Sequence, residues 1–295
     1  MPLINKIKTI DDSEIEVYDR ILSQENVLDI LSEALWPDIL NLKDAKHAVL
    51  LSLASMDDYG DYNNRIHVLL VGPKGTAKSR IIRRVSRILR FPYVGHRLTE
   101  VGLTGTINKP GILTQSKVVA IDEMDKIPKT DLDGCLEAMS DGVITISVGG
   151  HYQVYDAQVR IIACCNSMND FRPEYLDRFD IICKLRNPTI DEIKEIAQMK
   201  LMSLGTITKG FMNDYTNIRN LFQYIWEYKP DIEFTDMESM LEVIYKYIDD
   251  NNEYITPRRI DTIYKTALSL ARLRHKNMTD TEIKEAIKIL TRYTR

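Results

Sequence analysis

The segment Gly72-Pro-Lys-Gly-Thr-Ala-Lys-Ser79 constrains the fold more than any other part of this chain. It follows the apolar run 66–71 and precedes a pattern in which aliphatic residues recur every three or four positions, as in an amphipathic helix. A glycine-bearing loop between a buried strand and a helix aims backbone N–H groups at phosphates, and the helix dipole favours the same anions. The segment therefore predicts an α/β fold with a phosphate-binding loop.

Two side chains at the end of this loop have expected roles in binding a nucleoside triphosphate. Lys78 is expected to contact the β and γ phosphates, and the hydroxyl of Ser79 is expected to ligate Mg²⁺. The other loop positions are expected to surround the phosphates; they are Gly72, Pro73, Lys74, Gly75, Thr76 and Ala77. Ala77 departs from the general motif, which has glycine there. We expect ATP and Mg²⁺ as the ligands.

Polar residues also follow two later apolar runs. Asp122 and Glu123 end the run 117–121, where the first carboxylate can hold Mg²⁺ and the second can polarise an attacking water. Asn166 follows the run 159–165. Two interpretations of Asn166 stay open, because its amide could orient the water or it could be an ordinary turn residue after a strand.

Arginines supply further candidates. Arg178 precedes the apolar run 181–185 and is either a surface ion-pair residue or an arginine finger that stabilises transferred charge from the next subunit. Arg258 is in the first turn of a predicted helix, where the dipole disfavours a cation unless a phosphate is near. A row of arginines from 80 to 90 is either a solvated helix face or a surface for an anion or another subunit.

The order of the patterns predicts the domain organisation. Apolar runs alternate with helical patterns as far as residue 188, and residues 189–295 are helical throughout. We therefore predict N-terminal helices and an α/β domain over 1–188, and an all-helical domain over 189–295. Residues 143–155 alternate around Gly149-Gly150 and predict a hairpin. Thr130 is predicted to cap the helix that precedes this hairpin.

Composition excludes several classes of protein. The net charge of −4 argues against a nucleic-acid coat or a basic DNA-binding tail. No apolar run approaches the roughly 20 residues that span a membrane, and residues 1–17 have no apolar core of a signal peptide. The four cysteines have no metal-ligand spacing, and Cys164 and Cys165 are interpreted as small core side chains. We expect a cytoplasmic protein without a membrane partner.

Several ordered motifs resemble the ATPase domain of the minichromosome maintenance (MCM) helicases, within the AAA+ superfamily. The loop ends in Ala-Lys-Ser, as in that family. Further similar segments are Gly102-Leu-Thr-Gly-Thr106, Ala120-Ile-Asp-Glu-Met-Asp-Lys126, Glu137-Ala-Met139, Leu176-Asp-Arg-Phe-Asp180 and Ile255-Thr-Pro-Arg-Arg-Ile260. The likeness extends over about residues 20–292.

The resemblance implies an AAA+ core, a three-layer αβα sandwich with a C-terminal helical lid. It also implies a homo-hexameric ring that hydrolyses ATP and acts on DNA, in contact with replication proteins. Lys78, Ser79, Asp122, Glu123 and Asn166 would come from one subunit, and Arg178 and Arg258 from its neighbour. The hairpin 143–155 would point into the central channel.

Departures from the family leave the activity open. We expect this chain to lack the family's N-terminal DNA-binding domain and C-terminal winged helix, and its helix-2 insertion to be a turn at 107–110. The family hairpin has a lysine that contacts DNA, whereas residues 142–159 contain no Lys or Arg. The chain is therefore a motor on DNA, a remodeller of a protein partner, or a module in which ATP switches only the oligomeric state. An intact Glu123 argues against the last.

Overall fold

A five-stranded parallel sheet forms the centre of the computed structural model, which describes residues 11–58, 62–95, 97–169, 171–206, 215–233, 237–250 and 256–293. Its strands are β1 (Val68–Val71), β2 (Tyr93–Val94), β5 (Val118–Ile121), β8 (Arg160–Cys165) and β9 (Ile181–Lys184). They lie side by side in the order β2-β5-β8-β1-β9. Two antiparallel pairs lie outside the sheet: β3 (Gly105–Thr106) with β4 (Lys109–Pro110), and β6 (Val143–Val148) with β7 (His151–Asp156).

Helices cover both faces of the sheet and make up the C-terminal part. Those before the last strand are α1 (Asp12–Leu22), α2 (Val27–Leu35), α3 (Lys43–Ala54), α4 (Lys78–Leu89), α5 (Glu100–Thr104), α6 (Ile112–Gln115), a 3₁₀ turn (Met124–Lys126), α7 (Lys129–Asp141) and α8 (Pro173–Asp177). Those after it are α9 (Ile190–Thr206), α10 (Tyr215–Glu227), α11 (Met237–Asp250), α12 (Pro257–Leu273) and α13 (Asp280–Leu290). The predicted α/β fold with C-terminal helices is confirmed.

The central strand shows why these apolar runs form a buried sheet. Successive side chains of a strand point to opposite faces. Val68 and Leu70 of β1 pack into one hydrophobic cluster, whereas Leu69 and Val71 pack into a second. All four are buried, which explains a continuous apolar run in place of an alternating one.

Local sequence signals set several helix ends. A capping box is present at the start of α13, since the Thr279 hydroxyl and the Glu282 carboxylate each accept from the other residue's backbone N–H. The prediction for the start of α7 was wrong by two residues, because the helix begins at Lys129 and its N-cap is Pro128 rather than Thr130, with no side-chain cap. The fixed backbone dihedral of proline favours a helix start, and proline itself has no N–H that would need a partner there.

The C-terminal helices share a core with the N-terminal ones. Phe222 of α10 and Leu270 of α12 belong to the same hydrophobic cluster as Leu50 of α3. The Trp226 indole N–H donates to the Leu53 carbonyl at 2.7 Å, and the buried Arg272 guanidinium donates to the carbonyl of Ser55 at 2.9 Å. This core joins residues on both sides of residue 188. The division of the chain into two domains at that residue therefore stays a prediction.

The hairpin β6–β7 is present as predicted. Gly149 and Gly150 turn the chain with φ of 58° and 81°, left-handed values that glycine adopts without strain. Its apolar side chains are exposed near the tip, by 62% at Val148 and 69% at Tyr152. The Tyr155 hydroxyl donates to the carbonyl of Ile107 at 2.8 Å, which ties the base of this hairpin to the short β3–β4 pair.

None of the helices in the described part of the chain is long and apolar enough to span a membrane.

Candidate nucleotide site

The carboxyl ends of β1, β5 and β8 meet at one edge of the sheet, where ligands commonly bind in open α/β folds. The loop 72–79 leaves β1 there, Asp122 follows β5 and Asn166 follows β8. A cavity of about 770 Å³ opens at this edge. It is lined by residues 74–80, Asp38, Arg83, Arg84, Arg87, Asp122, Glu123, Cys164, Cys165, Asn166 and Tyr215. Five candidates widely separated in sequence (Lys78, Ser79, Asp122, Glu123 and Asn166) therefore share one cavity.

Close approach and backbone conformation shape the loop. A Cβ atom at Gly72 would lie 2.5 Å from the Leu185 carbonyl oxygen, so only glycine lets the loop pass this close to β9. Ala77 has φ of 64°, a left-handed conformation that costs a non-glycine residue about 1–2 kcal/mol. This conformation explains why the general motif has glycine there. The strain at Ala77 is held at the N-terminus of α4, next to Lys78.

Lys78 is folded into the loop. Its Nζ donates to the carbonyls of Gly72 at 2.5 Å and Pro73 at 2.8 Å, and it lies 3.4 Å from Oδ1 of Asn166. Burial lowers the pKa of Lys78, and the carboxylates nearby oppose that shift. A buried ammonium with carbonyl partners gains strongly from an anion, because a phosphate supplies the opposite charge that neutral carbonyls do not.

Ser79 and Asp122 contribute adjacent oxygen atoms. The Ser79 hydroxyl donates to Oδ1 of Asp122 at 2.9 Å. Burial raises the pKa of Asp122, but hydrogen bonds from Cys164, Tyr93 and Ser79 outweigh burial and lower it. Asp122 is therefore an ionised carboxylate beside a hydroxyl. Mg²⁺ prefers oxygen ligands of this kind, so these residues fit the expected ion.

Glu123 and Asn166 both line the cavity. Glu123 has φ of 50°, which turns its side chain out of the strand direction, and it forms an ion pair with Lys126. The backbone N–H of Asn166 donates to Oδ2 of Asp125 at 3.2 Å. That bond fixes the residue at the strand end, while its side chain faces Lys78. The roles of Glu123 and Asn166 in orienting water stay predictions.

Two residues that contact Asp122 were missed from the sequence. Cys164 Sγ donates to Oδ1 of Asp122 at 2.8 Å, and the Tyr93 hydroxyl donates to Oδ2. Burial and the bond to Asp122 raise the pKa of the Cys164 thiol to about 12. Cys164 and Cys165 are buried, as interpreted, but they also line the cavity. Only the position of Cys164 could have indicated this contact, since it lies two residues before the candidate Asn166, near the end of a strand.

The arginine row of α4 faces the cavity. Arg80 and Arg84 form ion pairs with Asp38, and the Arg83 guanidinium donates to the Tyr93 hydroxyl at 2.9 Å. Arg87 lines the same cavity. Of the two interpretations left open by the sequence, this geometry favours an anion-facing surface over a purely solvated face.

Arg178 and Arg258 lie together and away from this cavity. Among the described residues, neither lines it. Arg258, at the start of α12, forms an ion pair with Asp177, the residue before Arg178. Within the described part of the chain, the buried Nε atom of Arg178 has no hydrogen-bond partner. We call Asp177, Arg178 and Arg258 the arginine patch. Its role in catalysis stays a prediction.

A second cavity of about 350 Å³ adjoins the first through residues 75–77, Asp38 and Arg80. Its walls include apolar side chains from the segment before α3 and from α9, namely Ile39, Leu40, Leu42 and Ile196. Charged side chains such as Lys43, Arg186 and Lys200 also line it, so this cavity offers a nucleoside apolar contact for the base and polar groups to orient it.

The loop, the parallel sheet and the Ser79–Asp122 pair define a P-loop nucleotide-binding protein. Residues 14–203 match the family model for the MCM P-loop domain, and the chain belongs to this family.

Relatives include archaeal and eukaryotic proteins. The uncharacterized MCM-type protein MJ1489 of Methanocaldococcus jannaschii is 28% identical over 97% of this chain and 48% of its own length. The minichromosome maintenance protein MCM of Saccharolobus solfataricus is 25% identical over 97% of this chain and 49% of its own. The DNA replication licensing factor mcm4 of Schizosaccharomyces pombe is 25% identical over 72% of this chain and 26% of its own length. The chain thus spans half or less of these relatives.

Proposed function

We propose that this protein hydrolyses ATP at the interface between two copies of the chain in a hexameric ring, and that the ring acts on DNA. The observation that carries the ATPase proposal is the assembly of Lys78, Ser79, Asp122, Glu123 and Asn166 around one cavity. Its alternative, a remodeller of a protein partner, shares the same ATP site and differs only in what the ring acts on.

The residues of one subunit have separate tasks in this proposal. Lys78 exchanges its carbonyl partners for the β and γ phosphates, and the second cavity accepts the adenine base. Ser79 and Asp122 hold Mg²⁺, which offsets phosphate charge when bound. Glu123 orients the attacking water, and its ion pair with Lys126 holds the carboxylate at the cavity until substrate enters. Asn166 contributes a second hydrogen bond to the water or the γ phosphate.

Separation of the arginine patch from the cavity supports completion of the site by a neighbour. An arginine that neutralises charge on the transferred phosphoryl group must reach it, and Arg178 does not line the cavity of its own chain. In a head-to-tail ring, each subunit presents one surface to the next, so a patch remote from its own cavity is free to face another. Arg258 accompanies Arg178 because it forms an ion pair with Asp177, the residue before Arg178 in the chain.

Action on DNA is supported by membership of the MCM family, in which relatives are named DNA replication licensing factors. The alternative is favoured by one observation. The hairpin β6–β7 has exposed Val148, Tyr152 and Val154 and no lysine or arginine between 142 and 159. Such a surface makes few phosphate contacts and is also suited to an apolar polypeptide.

A single assay tests both levels of the proposal. ATP turnover is measured for the wild type and Glu123→Gln, alone, with single-stranded DNA, and with an unfolded polypeptide. We expect DNA to stimulate the wild type and Glu123→Gln to retain nucleotide binding while turnover falls about 100-fold or more. Stimulation by the polypeptide alone favours the remodeller. Undiminished turnover in Glu123→Gln contradicts the proposed role of that carboxylate.

The salt dependence of DNA binding tests the contacts themselves. Each phosphate contact to a single strand contributes about 0.7 to the slope of log affinity against log salt concentration. We expect His151→Lys, at the neutral tip of the hairpin, to strengthen binding and steepen this slope. A slope that does not change in this variant would mean that the hairpin lies away from the bound strand.

A further inference from the structure

Asp122 is held by donors from the two strands that flank it. Its Oδ1 accepts from Cys164 Sγ at 2.8 Å, and its Oδ2 accepts from the Tyr93 hydroxyl. Cys164 is the penultimate residue of β8 and Tyr93 begins β2, and these strands lie on opposite sides of β5 in the sheet. The carboxylate is therefore fixed from two directions rather than free to rotate.

Cys164 is placed for this contact by the register of the sheet. Ile121 of β5 pairs with Ala163 of β8, so the next residues along each strand, Asp122 and Cys164, are neighbours. The Cys164 side chain is almost fully buried, and its sulfur lies 3.9 Å from the Ser79 hydroxyl. A thiol is a weak donor to a neutral oxygen, but a bond to an ionised carboxylate is strengthened by the charge.

The donors to Oδ1 differ in what they can do when substrate binds. Ser79 Oγ and the Glu123 backbone N–H also donate to Oδ1, each at 2.9 Å. The Ser79 oxygen is required as an Mg²⁺ ligand in the proposed function, and Glu123 must adjust to hold water. The bond from Cys164 involves neither task, so it can persist through both.

We propose that Cys164 is a positioning residue for Asp122, and that its S–H···O bond holds Oδ1 toward the Mg²⁺ position beside Ser79. This inference rests on the proposed function. Loss of this donor removes the bond to Oδ1 that involves neither Mg²⁺ nor water, which loosens the carboxylate and raises the Mg²⁺ concentration that nucleotide binding requires. The affinity for nucleotide without Mg²⁺ stays the same, because Cys164 donates to the carboxylate and not to the phosphate-binding loop.

The experiment compares Cys164→Ala, Cys164→Ser and wild type by titrating Mg²⁺ against binding of a fluorescent ATP analogue. We expect the half-saturating Mg²⁺ concentration to rise about tenfold in Cys164→Ala, the lower end for losing a hydrogen bond to a charged group. The serine hydroxyl restores a donor and should recover most of this change. Binding in EDTA should be equal for all three proteins.

Cys135→Ala is the matched control for loss of a buried sulfur. Cys135 lies in α7 within the second hydrophobic cluster, and its thiol makes no hydrogen bond in the described part of the chain. Its removal should lower the melting temperature without moving the Mg²⁺ titration.

Three results overturn the inference. The first is a Cys164→Ala protein that melts earlier but titrates like wild type, and the second is a serine variant no better than alanine. In the third, the wild type binds nucleotide with no dependence on Mg²⁺, which also overturns the proposed site. The first two results leave the ATPase proposal intact. Failure of this inference is therefore distinguishable from failure of the proposed function.

Discussion

The nucleotide cavity and the arginine patch contain similar kinds of residue but are assembled differently. In the cavity, Lys78, Ser79 and Asp122 are buried or half-buried, Ser79 donates to Asp122, and Lys78 donates to carbonyls of its own loop. In the patch, Arg258 is 35% exposed and its partner Asp177 57% exposed. The cavity is complete apart from its ligands, whereas the patch holds Arg178 outside that cavity, with a buried Nε that has no hydrogen-bond partner within the described chain. The difference teaches that one chain supplies binding and leaves part of the charge stabilisation to another.

The largest expected effect tests the cavity. Lys78→Ala removes the ammonium that is proposed to bind the phosphates both in the ground state and in the transition state. We expect kcat/KM for ATP to fall about 10,000-fold, with nucleotide binding lost as well. Lys194→Ala, an exposed lysine of α9, is the control and should behave as wild type. Near-normal turnover in Lys78→Ala would mean that this cavity is not the site of ATP hydrolysis.

The next effect tests the patch. Arg178→Ala should lower kcat about 1,000-fold while the dissociation constant for nucleotide stays unchanged, because the arginine acts on charge that develops during transfer. This separation of binding from turnover would set the two regions apart. A loss of nucleotide affinity as large as the loss of kcat would mean that Arg178 binds nucleotide in the cavity of its own chain. The two regions would then not differ in role.

Mixing the two variants sharpens the same comparison. Each inactive variant retains what the other lacks, so an intact cavity can meet an intact arginine when the chains alternate. Random mixing into a ring should create such an interface at about one site in four. Recovered turnover in the mixture, measured against each variant alone, supports action between subunits. A mixture as inactive as its components contradicts it.

The smallest expected effect concerns Asp177. Asp177→Asn weakens the ion pair with Arg258, and exposed pairs of this kind contribute at most about 1 kcal/mol. We therefore expect a fall in turnover of no more than about fivefold, with no change in nucleotide affinity. Asp191→Asn, which weakens the exposed pair with Lys194, is the matched control. A loss as large as that of Arg178→Ala would show that Asp177 itself takes part in the chemistry.

Local chemistry explains which parts of the fold were predictable. The loop 72–79, the apolar runs that became β1, β5, β8 and β9, and the hairpin at Gly149-Gly150 each depend on neighbouring residues in sequence. The start of α7 was missed by two residues because proline and threonine are both acceptable near a helix start. The shared core of α3, α10 and α12 was not predicted, since it depends on packing between distant segments.

The candidate site divides in the same way. Residues with a distinctive motif, such as Lys78, Ser79 and Asp122, were found without the structure and share a cavity in it. Cys164 and Tyr93 belong to no motif, and their contact with Asp122 arises from the order of β2, β5 and β8 in the sheet. A cysteine in an apolar run indicates a core residue unless the neighbouring strand is known.

The sequence by itself determined the phosphate-binding loop, the acids at a strand end and the alternation of strands and helices, because these follow from backbone geometry and periodicity over a few residues. Only the tertiary structure decided which donors hold Asp122, that α4 turns its arginines toward the cavity, and that Arg178 lies beside Arg258 rather than beside Lys78. The physical reason is that strand order and helix packing bring together residues whose separation along the chain carries no local signal.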